Sequence, residues 1–381
     1  MAYGNPLGNP LGNPLGIPRS AISNVSAAGV VGDVTTHAGV AASNELPADG
    51  RSLLKASYSA LYNAIGDAYT QAFPLNPGIT TPSLPSSTTW IAIAYGAGLF
   101  IAISSGGMTA VSSDFGATWQ AGGSLPAATY TGIAFGGGIF VAIATDVAFC
   151  ASSADGITWA QQTLPASSTW SCVAYGNGRF VAYASSATAY SMDGVVWVAG
   201  GTSGPTYAVA KIAFGSGRFV VGNYSSNSAQ LATTTDGVTW TTVTLPSGRR
   251  VRGLAYGNGF FTITSNVSDP ALYSWDGLTW ITGASSSANL LLAFYYGRFF
   301  FFPATGVSVS NFDYPDKFGT AITSPANAYN QAYAVGGGYM VVLSNIASAQ
   351  VARFFMLTNT NFNIPSIQAF DPDKTAFVRV S

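Results

Sequence analysis

Ser112-Ser-Asp-Phe-Gly-Ala-Thr-Trp119 is one copy of a phrase that returns along most of the chain. It recurs, one residue shorter, as Ser153-Ala-Asp-Gly-Ile-Thr-Trp159, Ser191-Met-Asp-Gly-Val-Val-Trp197, Thr234-Thr-Asp-Gly-Val-Thr-Trp240 and Ser274-Trp-Asp-Gly-Leu-Thr-Trp280. A weak sixth copy runs through Ser310-Asn-Phe-Asp313. A second phrase precedes each: Tyr95-Gly-Ala-Gly-Leu-Phe100, Phe135-Gly-Gly-Gly-Ile-Phe140, Tyr175-Gly-Asn-Gly-Arg-Phe180, Phe214-Gly-Ser-Gly-Arg-Phe219 and Tyr256-Gly-Asn-Gly-Phe-Phe261. Altered copies follow at Tyr296-Gly-Arg-Phe299 and Val335-Gly-Gly-Gly-Tyr339. Their second glycines stand at 98, 138, 178, 217, 259, 297 and 338, so successive steps are 40, 40, 39, 42, 38 and 41 residues. A period near forty with four short β-like runs per unit marks a β-propeller. Seven copies predict an all-β, seven-bladed propeller with four-stranded blades.

The first phrase has a physical logic. Asp-Gly is a turn signal: the carboxylate accepts bonds from turn amides, and glycine supplies a positive φ. The Ser or Thr hydroxyl closes the loop from the other side, and the Trp buries a large plate between sheets. Ser-x-Asp-x-Gly-x-Thr-Trp resembles the Asp-box of bacterial neuraminidase repeats. The resemblance implies that Asp114, Asp155, Asp193, Asp236 and Asp276 are structural turn residues joining third and fourth strands, remote from any active site. The Trp275-Asp276 pair falls within this register.

In the first strand of each unit, Ile93, Ile133, Val173, Ile212 and Leu254 share a face with the following Tyr or Phe, while Ala94, Ala134, Ala174, Ala213 and Ala255 share the other. Large against small lets neighbouring sheets stack at native density. Tyr95, Phe135, Tyr175, Phe214 and Tyr256 are therefore expected in the core.

Only 8% of the 381 residues are charged and the net charge is −1, which argues against a nucleic-acid partner. The one basic cluster is Arg249, Arg250 and Arg252. Cys150 and Cys172 are expected as free, buried thiols, not a disulfide framework. No secretory signal is expected in residues 1–20, and the apolar run from Asn289 to Pro303 is broken by Gly297-Arg298, so no membrane insertion is expected.

Residues 1–29 form an N-terminal arm that begins with Gly4-Asn-Pro-Leu7, Gly8-Asn-Pro-Leu11 and Gly12-Asn-Pro-Leu15. Proline every fourth residue excludes helix and central strand. The arm reads either as a flexible tail or as an extended segment docking on a partner. Further on come Gly32-Asp33, Leu46-Pro-Ala-Asp-Gly-Arg51, Tyr58 to Gly66, and Tyr69. The stretch from Ser52 to Gly66 is expected to be a helix, with Ser52 as N-cap, an apolar face at Leu54, Tyr58, Leu61, Tyr62 and Ile65, and Gly66 as its stop. This pattern resembles the phage tail-collar family, whose next phrase appears only at Asn361-Phe-Asn-Ile-Pro-Ser366, with Ala376 to Val380 as the closing strand. The resemblance implies a small α+β collar-like domain split between 30–74 and 359–381, with the propeller, 75–358, inserted. Asn76 to Pro85 is expected to supply the outer strand of the last blade, closing the ring from both chain ends.

The collar resemblance further implies a phage tail fibre or tail tip, located in the virion after assembly in the host cytoplasm. It implies a homotrimer, contacts with other tail or baseplate proteins through residues 1–29, and adhesion to bacterial surface polysaccharide. Enzyme chemistry is not expected. The single Glu45 lies outside the propeller, and most propeller aspartates are committed to turns, although two Asp could in principle form a glycosidase pair. The lone His37 makes no metal site, and no cofactor motif is present. Candidate ligand contacts are Trp90, Tyr130, Trp170 and Tyr207 and the Arg249, Arg250, Arg252 turn, all on loops entering the first strands. Aromatic plates with polar neighbours suit sugars. The competing reading wedges Trp90, Tyr130 and Trp170 between blades over Ala92, Gly132 and Cys172. The alternative functions are a purely structural baseplate or fibre protein, and a propeller glycosidase.

Overall fold

A computed structural model describes residues 78–355, with interruptions at 202–209, 224–227, 266–268, 286–290, 296–297, 303–306, 311–317, 323–330 and 345–347. It also describes the strand backbone of 34–37, 45–47, 52–54, 361–363 and 375–379. The chain divides into two compact units: Gly78–Met356, and Met1–Pro77 together with Leu357–Ser381.

Gly78–Met356 is an all-β propeller. Four four-stranded antiparallel sheets span 90–121, 210–249, 253–285 and 291–322, and a five-stranded sheet joins the three strands of 333–355 to 78–80 and 83–88, giving five separate blades. A six-stranded sheet covers 129–199 and holds two of the sequence repeats. They are joined through the strand Ala160–Gly176, whose first part pairs with Phe149–Ser152 and whose last part pairs with Arg179–Ala184. In the six repeats where this turn is described, the first strand turns into the second through two residues at positive φ, such as Asn177 (47°) and Gly178 (73°). Such a turn twists in the sense of the strands it joins.

The repeats meet through one recurring contact. In six repeats an aromatic residue of the first strand lies on the glycine of the preceding repeat; in the sixth that position is held not by Tyr296 of the phrase Tyr296-Gly-Arg-Phe299 but by Phe294, which pairs with Phe299 as Tyr95 pairs with Phe100. Phe135 covers Gly96, Tyr175 covers Gly136, Phe214 covers Gly176, Tyr256 covers Gly215, Phe294 covers Gly257 and Tyr95 covers Gly336, and a Cβ on any of these glycines would fall inside the ring. One seam inverts the pattern. Tyr295 pairs with Arg298, so it occupies the glycine position, and the aromatic position of the next repeat is Val335. Tyr295 is 1% exposed, packs with Met340, Val342 and Phe354, and donates its hydroxyl to the Gly338 carbonyl at 2.7 Å. Ring and small residue have changed sides.

The last repeat is completed from the other end of the chain. Gly78–Thr80 pairs with Arg353–Phe355, and Ser83–Thr88 pairs with the same long strand at Ser348 and Gln350. Leu84 enters the core shared with Val341, Leu343 and Val351. This is the closure anticipated from Asn76 to Pro85.

In the flanking unit, Val34–His37 and Glu45–Pro47 lie on either side of Thr375–Arg379 in a three-stranded antiparallel sheet. Ser52–Leu54 pairs with Asn361–Asn363. The helix expected from Ser52 is therefore corrected at its start. Ser52 does not cap a helix; it is a strand residue opposite Asn363, because pairing with a distant segment overrides local propensity. The remainder of the expected helix, 55–66, lies outside the described residues, as do 1–33. No helix among the described residues is long and apolar enough to cross a membrane.

Candidate functional site

Four of the five complete Asp-boxes share one geometry, and the longer first box keeps the Ser112–Asp114, Gly116–Ser112, Thr118–Asp114 and Trp119–Gly116 bonds. In the second, the Ser153 hydroxyl donates to Asp155 Oδ1 (3.0 Å), and the Gly156 amide donates back to Ser153 Oγ (2.8 Å). The Ile157 and Thr158 amides donate to Asp155 Oδ1 (2.8 and 2.7 Å), and the Trp159 indole donates to the Gly156 carbonyl (3.1 Å). The box also reaches its neighbour. A Cβ on Gly156 would meet Ile101, on Gly194 Val141, on Gly237 Val181 and on Gly277 Val220, each on the preceding repeat. Each of these glycines serves both the turn (φ between 71° and 75°) and the close approach to the adjoining sheet.

These carboxylates are acceptors, not acids. Hydrogen bonds from the Thr158 and Ile157 amides hold Asp155 at about 2. Burial raises Asp114, but the Thr118 hydroxyl and amide and the Ser112 hydroxyl outweigh it, leaving about 2. Asp193, Asp236 and Asp276 are lowered in the same direction. A carboxylate whose folded pKa lies below its unfolded value stabilises the fold above the unfolded pKa, and that contribution disappears as pH falls through the folded one. The melting temperature is expected to hold above about pH 5 and to fall steeply between about 4 and 2. Thermal melts across that range check this; a flat profile would contradict the role given to the boxes.

Three residues of the expected aromatic arc are buried. Trp90 and Tyr130 are each 2% exposed and Trp170 is 1% exposed. Their polar atoms are satisfied internally: Trp90 Nε1 donates to the Ser86 carbonyl (3.2 Å), Tyr130 Oη to Pro126 (2.8 Å) and Trp170 Nε1 to Ala166 (3.3 Å). They are buried between repeats, as the competing reading has them, but Trp90 packs with Leu84, Leu343 and Val351 and Trp170 with Ile143, Cys150 and Leu164, not over Ala92 and Cys172; Tyr130 packs with Ile103 and Leu125. Tyr207 and the side chain of Arg249 lie outside the described residues. Arg250 and Arg252 are half-buried. Arg252 stands near Lys211, whose pKa is lowered chiefly by burial and further by that neighbouring guanidinium. Cys150 and Cys172 are free and buried, and burial pushes each thiol up to about 12. Among the described residues no group of three His, Cys, Asp or Glu could hold a metal ion.

The exposed aromatic group lies elsewhere, on the fifth box. Trp275 is 50% exposed, while Trp90, Trp119, Trp170, Trp197 and Trp280 are buried and Trp159 and Trp240 are half-buried. Its ring is braced by Phe260 (centroids 5.2 Å apart) and Tyr273 (5.6 Å). Its carbonyl accepts from Ser216 Oγ (2.7 Å), and Ser216 Oγ bonds Tyr256 Oη (3.0 Å). Sequence reading placed Trp275 only as a box residue. The available signal was its position: the equivalent residues of the other boxes are Ser113, Ala154, Met192 and Thr235, none of them aromatic.

No family model matches the chain, and no curated protein matches it. Solved structures do. YCF48 from Cyanidioschyzon merolae is 13% identical with a TM-score of 0.57, covering 73% of this chain and 98% of its own. Selenomethionine-substituted virginiamycin B lyase from Staphylococcus aureus is 11% identical with a TM-score of 0.61, covering 74% and 99%. The WD40 β-propeller domain of Doa1 is 12% identical with a TM-score of 0.56, covering 74% and 99%. At these identities the likeness is one of fold: a β-propeller, a scaffold that carries a lyase in one neighbour and, in YCF48, a structure bound to the D1 peptide.

Proposed function

We propose that this chain is a phage tail-fibre or tail-tip component and a non-enzymatic adhesin for bacterial surface polysaccharide. In this reading a collar-like domain is split around a seven-bladed propeller, residues 1–29 attach it to other tail or baseplate proteins, and the assembly is a homotrimer in the virion. The observation that carries it is the pairing of the two flanks. Strands 34–37 and 45–47 hold strand 375–379 between them, and 52–54 pairs with 361–363, so the segments bearing the collar-like phrases belong to one unit from which the propeller is an insertion. An inserted module with both ends returning to one base suits display of a binding domain. Seven blades are supported by the seven repeats and by the chain of aromatic-on-glycine seams from Tyr95 on Gly336 round to Phe294 on Gly257.

Absence of catalysis is supported by the box geometry, which leaves five propeller aspartates as hydrogen-bonded anions. A variant of the lyase with one histidine replaced by alanine is described as catalytically inactive. The single histidine here, His37, is in the flanking unit. The test is saturable binding of the labelled full chain to bacteria before and after their polysaccharide is stripped. Binding lost on stripping is the expected result. Equal binding to stripped cells, or release of sugar during long incubation, would overturn the reading.

A further inference from the structure

We propose that the indole of Trp275, on the Asp-box face of the propeller, is the platform on which a pyranose ring of the surface glycan stacks, with Tyr256 and Ser216 accepting hydrogen bonds from its hydroxyls. This rests on the glycan-adhesion reading above and assigns it a site. Three observations converge. First, an indole with half its surface in water is held from behind by Phe260 and Tyr273 on adjacent strands, and its backbone is fixed by the box hydrogen bonds from Leu278 and Thr279 to Asp276 (2.8 Å each). Little rotational freedom remains to be lost on binding, which is the condition under which an exposed aromatic plate binds well.

Second, the polarity of the neighbouring hydroxyls is determined. A carbonyl only accepts, so in the 2.7 Å contact Ser216 must donate to the Trp275 carbonyl. Its one proton is then used, and in the 3.0 Å contact Tyr256 must donate to Ser216. Both oxygens are left with lone pairs and no proton to give. The pair suits a ligand that carries donors, as sugar hydroxyls do, and is anchored on the backbone carbonyl of the residue whose indole would take the apolar C–H side of the ring. Third, the position is singular: the equivalent box residues are Ser113, Ala154, Met192 and Thr235. The fold does not need a tryptophan there.

The probe is a panel of purified capsular and O-chain polysaccharides, titrated against the full chain. Trp275→Ala is expected to weaken binding about tenfold or more, and Tyr256→Phe about threefold, since truncating a rigid aromatic anchor removes most of a small site's affinity. Met192→Ala, at the same box position of another repeat, is expected to leave affinity unchanged. Bound polysaccharide should also shield the Trp275 share of the acrylamide-quenchable tryptophan fluorescence, the share by which Trp275→Ala and Trp275→Phe both fall below the wild type; Trp275→Phe, which keeps a flat ring, should retain part of the binding. Wild-type affinity in Trp275→Ala would remove this site while leaving glycan adhesion standing. A wild-type chain that binds none of the panel, or whose attachment to cells is lost on protease treatment of the cells alone, would remove both.

Discussion

Gly136→Tyr is expected to destabilise the propeller by about 3 kcal/mol, and adding Tyr175→Val should restore most of that loss. A side chain at Gly136 has no room, because the Tyr175 ring of the next repeat lies directly over it. Tyr175→Val alone should cost about 2–3 kcal/mol, since it empties the seam. Together they reproduce an arrangement the protein already contains, where Tyr295 occupies the glycine position and Val335 the aromatic position of the next repeat. Urea unfolding of the wild type, both single variants and the double variant measures the coupling. A double variant as unstable as the sum of the singles would mean that the Tyr295 seam depends on its own surroundings and not on simple exchange of volume.

The second large effect concerns closure. A chain beginning at residue 89 is expected not to yield a folded monomer, whereas one beginning at residue 76 should. Removal of 78–88 strips the partners from one edge of Ser348–Phe355, leaving it paired only with Tyr339–Leu343, and takes Leu84 out of the core. An unpaired strand edge and a vacated apolar seam favour aggregation. The same seam carries a second fastening. The longest Asp-box inserts Phe115 (φ 59°), which stacks on Tyr339 at 5.5 Å. Arg353 donates its Nε to the Phe115 carbonyl at 2.8 Å and lays its guanidinium 3.9 Å from the Tyr339 ring centroid. The one box with an extra residue thus sits where the first repeat meets the last. Size-exclusion chromatography and thermal melting of the two truncations decide the matter; a stable monomer from residue 89 would show that the ring holds without its N-terminal strands.

Much of this was legible in the linear chain. The spacing of the second glycines and the recurrence of Asp-Gly and Trp specified the propeller, the turn role of the five aspartates, the buried thiols and the closure by residues 76–85. These depend on local chemistry: a carboxylate within reach of its own turn amides, and a glycine where φ must be positive, act the same way in every repeat. The tertiary structure alone decided the rest. Trp90, Tyr130 and Trp170 have the composition of a sugar platform, but their exposure is set by the core side chains of the adjoining repeat against which they pack. Trp275 has the composition of a box filler, yet half of its surface stays exposed. Ser52 has the chemistry of a helix cap, and a strand more than three hundred residues away takes it instead. A repeat encodes its own turns and strands; whether a side chain between two repeats is buried is a property of the pair, and the pair exists only once the ring has closed.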